Sequence, residues 1–156
     1  MEDPALSSRH SSDATPELIL MENMLQQLRE LTATASFNRW AGFEVIRVVD
    51  GECELRMVCR PEDMGQYAGF LHAGMIAALL DTACGFAATT TSGFSVLSSQ
   101  FSMNCLAPAV GEEFVAIGRV VKAGRKQIFT SGELLGVREG KRKLVATATT
   151  LLVPGA

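Results

Sequence analysis

Apolar and polar positions change their period several times along this chain, and each change marks an element. Leu18, Met21, Leu25 and Leu28 recur at spacings of three, four and three, which gives one apolar stripe on a helix that must pack on something. Ahead of it, Thr15, Pro16 and Glu17 supply an N-cap, a proline at the first helical position and an acid favoured by the helix dipole. An amphipathic helix is expected over 15–33. The runs Phe43 to Val49 and Glu52 to Cys59 are joined by Asp50-Gly51, a two-residue hairpin signal that predicts two antiparallel strands. Pro61 to Phe70 holds a proline, acids and two glycines without a period, and reads as a loop.

The segment from His72 to Thr90, HAGMIAALLDTACGFAATT, is rich in Ala, Leu and Met and apolar on nearly every face if wound as a helix. Such a helix belongs inside. Four further strands are expected: Phe94 to Leu106 before Pro108, Glu113 to Val121 before Gly124, Lys126 to Val137 before Glu139-Gly140, and Leu144 to Val153. A strand pair, one buried helix and then several strands predict an α+β layer, a helix against an antiparallel sheet. Residues 1–14, with Pro4 and four serines but no apolar period, are expected to be a mobile tail, and 36–156 to form one domain.

Composition narrows the function. Of 156 residues, 47% are hydrophobic and 20% charged, so the chain has the makings of a globular core. A net charge of −3 gives no positive field to recruit nucleic acid or anionic lipid. The cysteines, Cys53, Cys59, Cys84 and Cys105, contain no CxxC pair and only two histidines accompany them, so no metal site is expected. MEDPALSSRH has no basic-then-apolar secretory pattern, and the apolar run from Ala73 meets Asp81 after eight residues; a cytoplasmic protein with reduced thiols and no membrane span is expected.

Asp81 is the sharpest chemical feature, the only formal charge between Asp63 and Glu112 apart from His72. Burying an ionised carboxylate without partners costs several kcal/mol, so a chain that keeps one in an apolar helix has a partner for it or a use. One use is to take a proton from water. His72 stands just before the helix, where the backbone N–H groups of Ala73, Gly74 and Met75 would meet incoming negative charge. Those donors suit a polarised carbonyl and the oxyanion that grows from it. Nine residues at ~100° and ~1.5 Å each put His72 and Asp81 on opposite helix faces, roughly 13 Å apart. If both serve one reaction, a two-fold dimer that faces the helix start of one copy with Asp81 of the other is the simplest solution. Basic residues gather at Lys122, Arg125 and Lys126, and again at Arg138, Lys141, Arg142 and Lys143; they read either as solvated turns or as attraction for phosphates. Met75, Met103, Phe86, Phe94 and Phe101 read as plain core or as lining for an apolar ligand.

GFLHAGMIAALLDTACGFAA resembles the signature of hotdog-fold thioesterases of the phenylacetate-degradation type: a His-Gly-Gly turn, then a buried helix with an acid nine positions after the His. The likeness extends from Trp40 to Val153 through SSQFSMNCLAPA, the Gly124-Arg125 turn and EGKRKLVATAT. It implies a long central helix wrapped by a curved antiparallel sheet, a homodimer or homotetramer, and hydrolysis of acyl-CoA thioesters without a cofactor, coenzyme A being part of the substrate. It places the catalytic acid, as nucleophile or as base, on Asp81 and the carbonyl-polarising N–H on Ala73. Gln66 falls where many relatives carry Asn, Ser98 where a Ser or Thr orients water or substrate, and Arg125 on the nucleotide-side loop. The turn departs from the pattern as His-Ala-Gly, which keeps the backbone donor. Two other readings use the same fold: a non-catalytic acyl-CoA-binding protein, and an enoyl-CoA hydratase or dehydratase, which would need a His and a carboxylate at one substrate carbon.

Overall fold

The structure is a computed structural model that describes residues 15–93 and 95–155; the expected tail and Phe94 lie outside them. The first helix, α1 (Pro16–Thr34), starts as expected, with the Thr15 hydroxyl accepting from the Leu18 N–H and Pro16 at its first position. Its packed face is Met21, Met24, Leu25, Leu28 and Thr32, whereas Leu18, expected on the same stripe, is half exposed. A second helix that the periodicity did not reveal, α2 (Ser36–Ala41), follows at once. It stops at Gly42, whose φ of 72° suits a residue without Cβ.

Strands β1 (Glu44–Val49) and β2 (Glu52–Val58) form the expected hairpin. The expected loop then begins with one helical turn, α3 (Pro61–Met64). A single turn has no period to detect, although Pro61 and the acids after it favour a helix start. The turn matters because the Met64 carbonyl accepts from the His72 N–H at 2.9 Å and so fixes the start of the long helix, α4 (Ala73–Ser92). Strands β3 (Val96–Cys105), β4 (Glu113–Ala123), β5 (Ile128–Arg138) and β6 (Lys141–Pro154) complete an antiparallel sheet in the order β1-β2-β4-β5-β6-β3. This is the hotdog arrangement that the resemblance implied.

α4 packs on β2 to β6. The approach is close: a Cβ on Gly118 would lie 2.3 Å from the Ala83 carbonyl oxygen, so only glycine lets the helix backbone meet β4 there. Leu79, Leu80, Ala83 and Ala87 fill the interior with Leu55, Met57, Phe114 and Leu134. By length and composition α4 could also cross a bilayer, but its packing makes it the core of this fold. One expectation is corrected here. The helix is not enclosed on every side by its own chain, since Ala77, Ala78, Asp81, Thr82 and Gly85 are only half buried.

The two sheet edges differ. β1 is flanked by α1, and Arg29 Nε donates to the Val45 carbonyl at 2.9 Å. β3, ten residues long and without a charge or proline, pairs among the described residues with β6 on one side only. Across β1, β2, β4 and β5 the outer face carries linked ion pairs: Arg56 with Glu44 and Glu113, Arg47 with Glu52 and Glu54, and Arg119 with Glu52 and Glu133.

Candidate active site

Asp81 stands midway along α4, among the residues that the chain leaves half buried. Ser98 Oγ donates to Asp81 Oδ1 at 2.7 Å, the one side-chain hydrogen bond of this carboxylate among the described residues, which leaves Oδ2 without a partner there. What aims Ser98 at the helix is a β-bulge in β3. Register shifts between Ser98 and Gln100, so Val96 packs inward and the exposed Ser98 shares its side of the strand before Ser99, whereas Phe101 and Met103 pack inward after it. Asp81, Thr82 and Ser98 line an open cleft of about 350 Å³ whose other walls are Leu31 and Asn38 from α1 and α2, Gly85, Phe86 and Thr89 from α4, and Val96, Leu97 and Leu152 from the sheet. The expected lone acid therefore has a serine partner and a solvent-facing side.

The other end of α4 is built differently. His72 is its N-cap, and the ring Nδ1 accepts from the Gly74 N–H at 2.9 Å. Met75 N–H donates to the His72 carbonyl, also at 2.9 Å. Of the three donors expected to be free, Gly74 and Met75 are thus engaged within the chain, and only the Ala73 N–H lacks an acceptor among the described residues. The cap itself removes the surplus donors and leaves one. Phe37, Trp40, Gly65, His72, Gly74 and Met75 border a cleft of about 380 Å³ at this end. Gln66 follows Gly65 but does not line the cleft, and its Oε1 accepts from the Ala68 N–H at 2.6 Å, so its carbonyl oxygen is held by its own loop.

The two clefts share no residue, and α2 lies between them, giving Phe37 and Trp40 to one and Asn38 to the other. His72 and Asp81 do not meet within one chain, as the helix geometry predicted. Lys122, Arg125 and Lys126 are all exposed at the β4–β5 turn, where the Gly124 N–H donates to the Gln127 carbonyl at 2.9 Å. None of the three is ion-paired among the described residues, and neither are Arg138, Lys141, Arg142 and Lys143 at the β5–β6 turn. Of the apolar candidates, Met75 and Phe86 line the clefts, while Phe101 and Met103 pack against the core. Asn38, Phe37 and the rest of α2 were not anticipated. Their signal was Gly42 closing a six-residue segment, too short for a periodic stripe. Among the described residues no cluster of three metal-ligating side chains occurs.

This fold, with an acid on the central helix and a single backbone donor at its start, is that of a hotdog thioesterase. The sequence profile described as the thioesterase superfamily matches residues 68–141. Acyl-coenzyme A thioesterase 13 of Homo sapiens is 30% identical over 130 residues, 78% of this chain and 91% of that protein. A thioesterase family protein from Silicibacter pomeroyi superposes with a TM-score of 0.80 at 32% identity, over 85% of this chain and 98% of that one. The E. coli PaaI protein from the phenylacetic acid degradation operon shares the fold, with a TM-score of 0.76 at 17% identity over 88% of this chain and 96% of its own. The chain belongs to the thioesterase superfamily.

Proposed function

We propose that this protein hydrolyses acyl-coenzyme A thioesters in a site shared by two copies of the chain. The observation that carries the reading is the separation of two complementary half-sites: the Asp81–Ser98 pair in one cleft, and the start of α4, where the Ala73 N–H stands between His72 and Gly74, which line the other cleft on the far side of α2. Each half lacks what the other has. The unpaired, uncharged β3 edge supplies the joint, because an edge of that kind invites a second strand, and a two-fold axis there would carry Ala73 of one copy toward Asp81 of the other.

The thioester carbonyl oxygen accepts from the Ala73 N–H, with the Gln66 amide nearby. As base, Asp81 takes a proton from water, whose oxygen bonds to the carbonyl carbon. The oxyanion then re-forms the carbonyl, the C–S bond breaks, and the thiolate of coenzyme A leaves and is protonated. As nucleophile, Asp81 would instead bond to that carbon, the C–S bond would break with departure of the thiolate, and water would cleave the resulting anhydride to the free acid and the Asp81 carboxylate. Ser98 holds Oδ1 in either case and leaves Oδ2 to act. Lys122, Arg125 and Lys126 would meet the coenzyme A phosphates, for which a fork of guanidinium donors is suited.

Purified Asp81→Asn and Asp81→Ala should lose at least about 10²-fold in thiol release from an acyl-CoA panel, with unchanged circular dichroism. Turnover like that of the wild type would falsify the assignment.

A further inference from the structure

Resting on that reading of the Asp81 cleft, we propose that Asn38 and Gly85 determine which acyl group is accepted: one of short to medium length that carries a hydroxyl or oxo group several atoms from the thioester carbonyl.

Gly85 follows Asp81 by one helical turn on the same face, about 6 Å along α4, so a group bonded to a carbonyl at Asp81 passes over it. Glycine inside a helix is less favourable than alanine, and here the chain gives no steric reason for it. A Cβ on Gly85 would meet only Leu152 Cδ2, at 3.9 Å, in contrast with Gly118, where it would strike the Ala83 backbone. The space above Gly85 is therefore kept for something outside the fold, and it opens into the cleft that holds the acid.

Asn38 supplies the chemistry. It is half buried where α2 borders both that cleft and a smaller one beside Arg29, Thr32 and Phe43, and its side-chain amide makes no hydrogen bond among the described residues. Leu31, Phe86 and Leu152 beside it are apolar. A plain alkyl chain laid there would desolvate the amide and leave it unpaired, whereas a hydroxyl or carbonyl on the acyl group would pair with it. The length of the cleft limits the chain: from Asp81 to Thr89, both lining it, α4 rises about 12 Å.

The test compares substrates that differ by one oxygen. The kcat/KM of ω-hydroxyhexanoyl-CoA against hexanoyl-CoA, and of ω-hydroxyoctanoyl-CoA against octanoyl-CoA, should favour the hydroxylated member about tenfold in the wild type. In Asn38→Leu and Asn38→Ala the ratio should fall to about one. Both substrates are read on one preparation, so partial loss of folded protein cancels. Gly85→Val should lower kcat/KM for hexanoyl-CoA at least about tenfold more than for acetyl-CoA, without a change in sedimentation. A wild-type ratio of one, a ratio that survives both Asn38 variants, or a Gly85→Val protein altered only in oligomeric state would overturn the inference. Calorimetric binding of the same pairs to Asp81→Asn reads the ratio apart from turnover. A preference there that Asn38→Leu abolishes upholds the inference even where Asp81→Asn still hydrolyses, a result that removes the role of Asp81 instead.

Discussion

At the residue scale, the start of α4 shows how a helix cap can select a single donor. Ala73 occupies the first helical position, where no intrahelical acceptor exists, and His72 before it has φ −62° and ψ 138°. Both are conditions that proline satisfies at the next position. Ala73→Pro should therefore keep the helix and remove only the N–H. We expect a melting temperature within a few degrees of wild type and a kcat lower by about 10²–10³-fold, the effect of deleting one oxyanion donor. An unimpaired variant would show that the carbonyl is polarised elsewhere. Motif spacing made Ala73 and Asp81 legible as candidates. It could not show that Gly74 and Met75 are spent inside the chain, because that depends on the direction of the His72 ring and carbonyl.

At the scale of elements, the edges of the sheet carry the argument. The β1 edge is closed by α1 and Arg29, and β3 is left open. If the proposed dimer forms along β3, charges placed there meet their own copies across the axis. Gln100→Lys with Ser102→Lys should shift the protein toward monomer in sedimentation velocity, with hydrolysis lost in parallel; a monomer that stayed active would refute the shared site. The ion pairs on the outer face make a separate prediction. Burial pushes the Glu52 carboxyl up, but hydrogen bonds and charge from Arg47 and Arg119 outweigh it and hold the group below its usual 4.5. A depressed carboxylate contributes stability above pH 4.5 that is lost as the pH falls through the lower folded value. Glu52→Gln should therefore melt lower than wild type at pH 7, and the gap should narrow as the pH drops below 4.5. A gap that is constant with pH would show the pairs to be silent. These pairs were invisible as pairs in the sequence, because only the strand register brings Glu52 opposite Arg119.

At the scale of the whole molecule, the separation of the clefts makes assembly testable by complementation. Asp81→Asn and Ala73→Pro, each inactive alone, should restore activity when unfolded and refolded together. With random pairing half the dimers are mixed, and each mixed dimer holds one intact site of two, so recovery to about a quarter of wild type is expected. A site built within one chain would recover nothing. Cys53 on β2 and Cys84 on α4 are both buried, and burial pushes the first up to about 12 and raises the second, in keeping with inert core thiols.

The sequence by itself determined the order and nature of the main elements, because they rest on local periodicity and local turn chemistry: Thr15-Pro16 opening α1, Asp50-Gly51 closing the first hairpin, and the apolar run from Ala73 as the central helix. It also singled out Asp81, since a charge in such a run stands out against its neighbours. The tertiary structure alone decided how the site is wired. The bulge at Ser99 changes the facing of β3 so that Ser98 reaches Asp81, the cap on α4 leaves one donor, and α2 divides the clefts while bringing Asn38 to the acid's side. Each of these follows from register, ring direction or packing between segments far apart in the chain, and short-range pattern does not encode such relations.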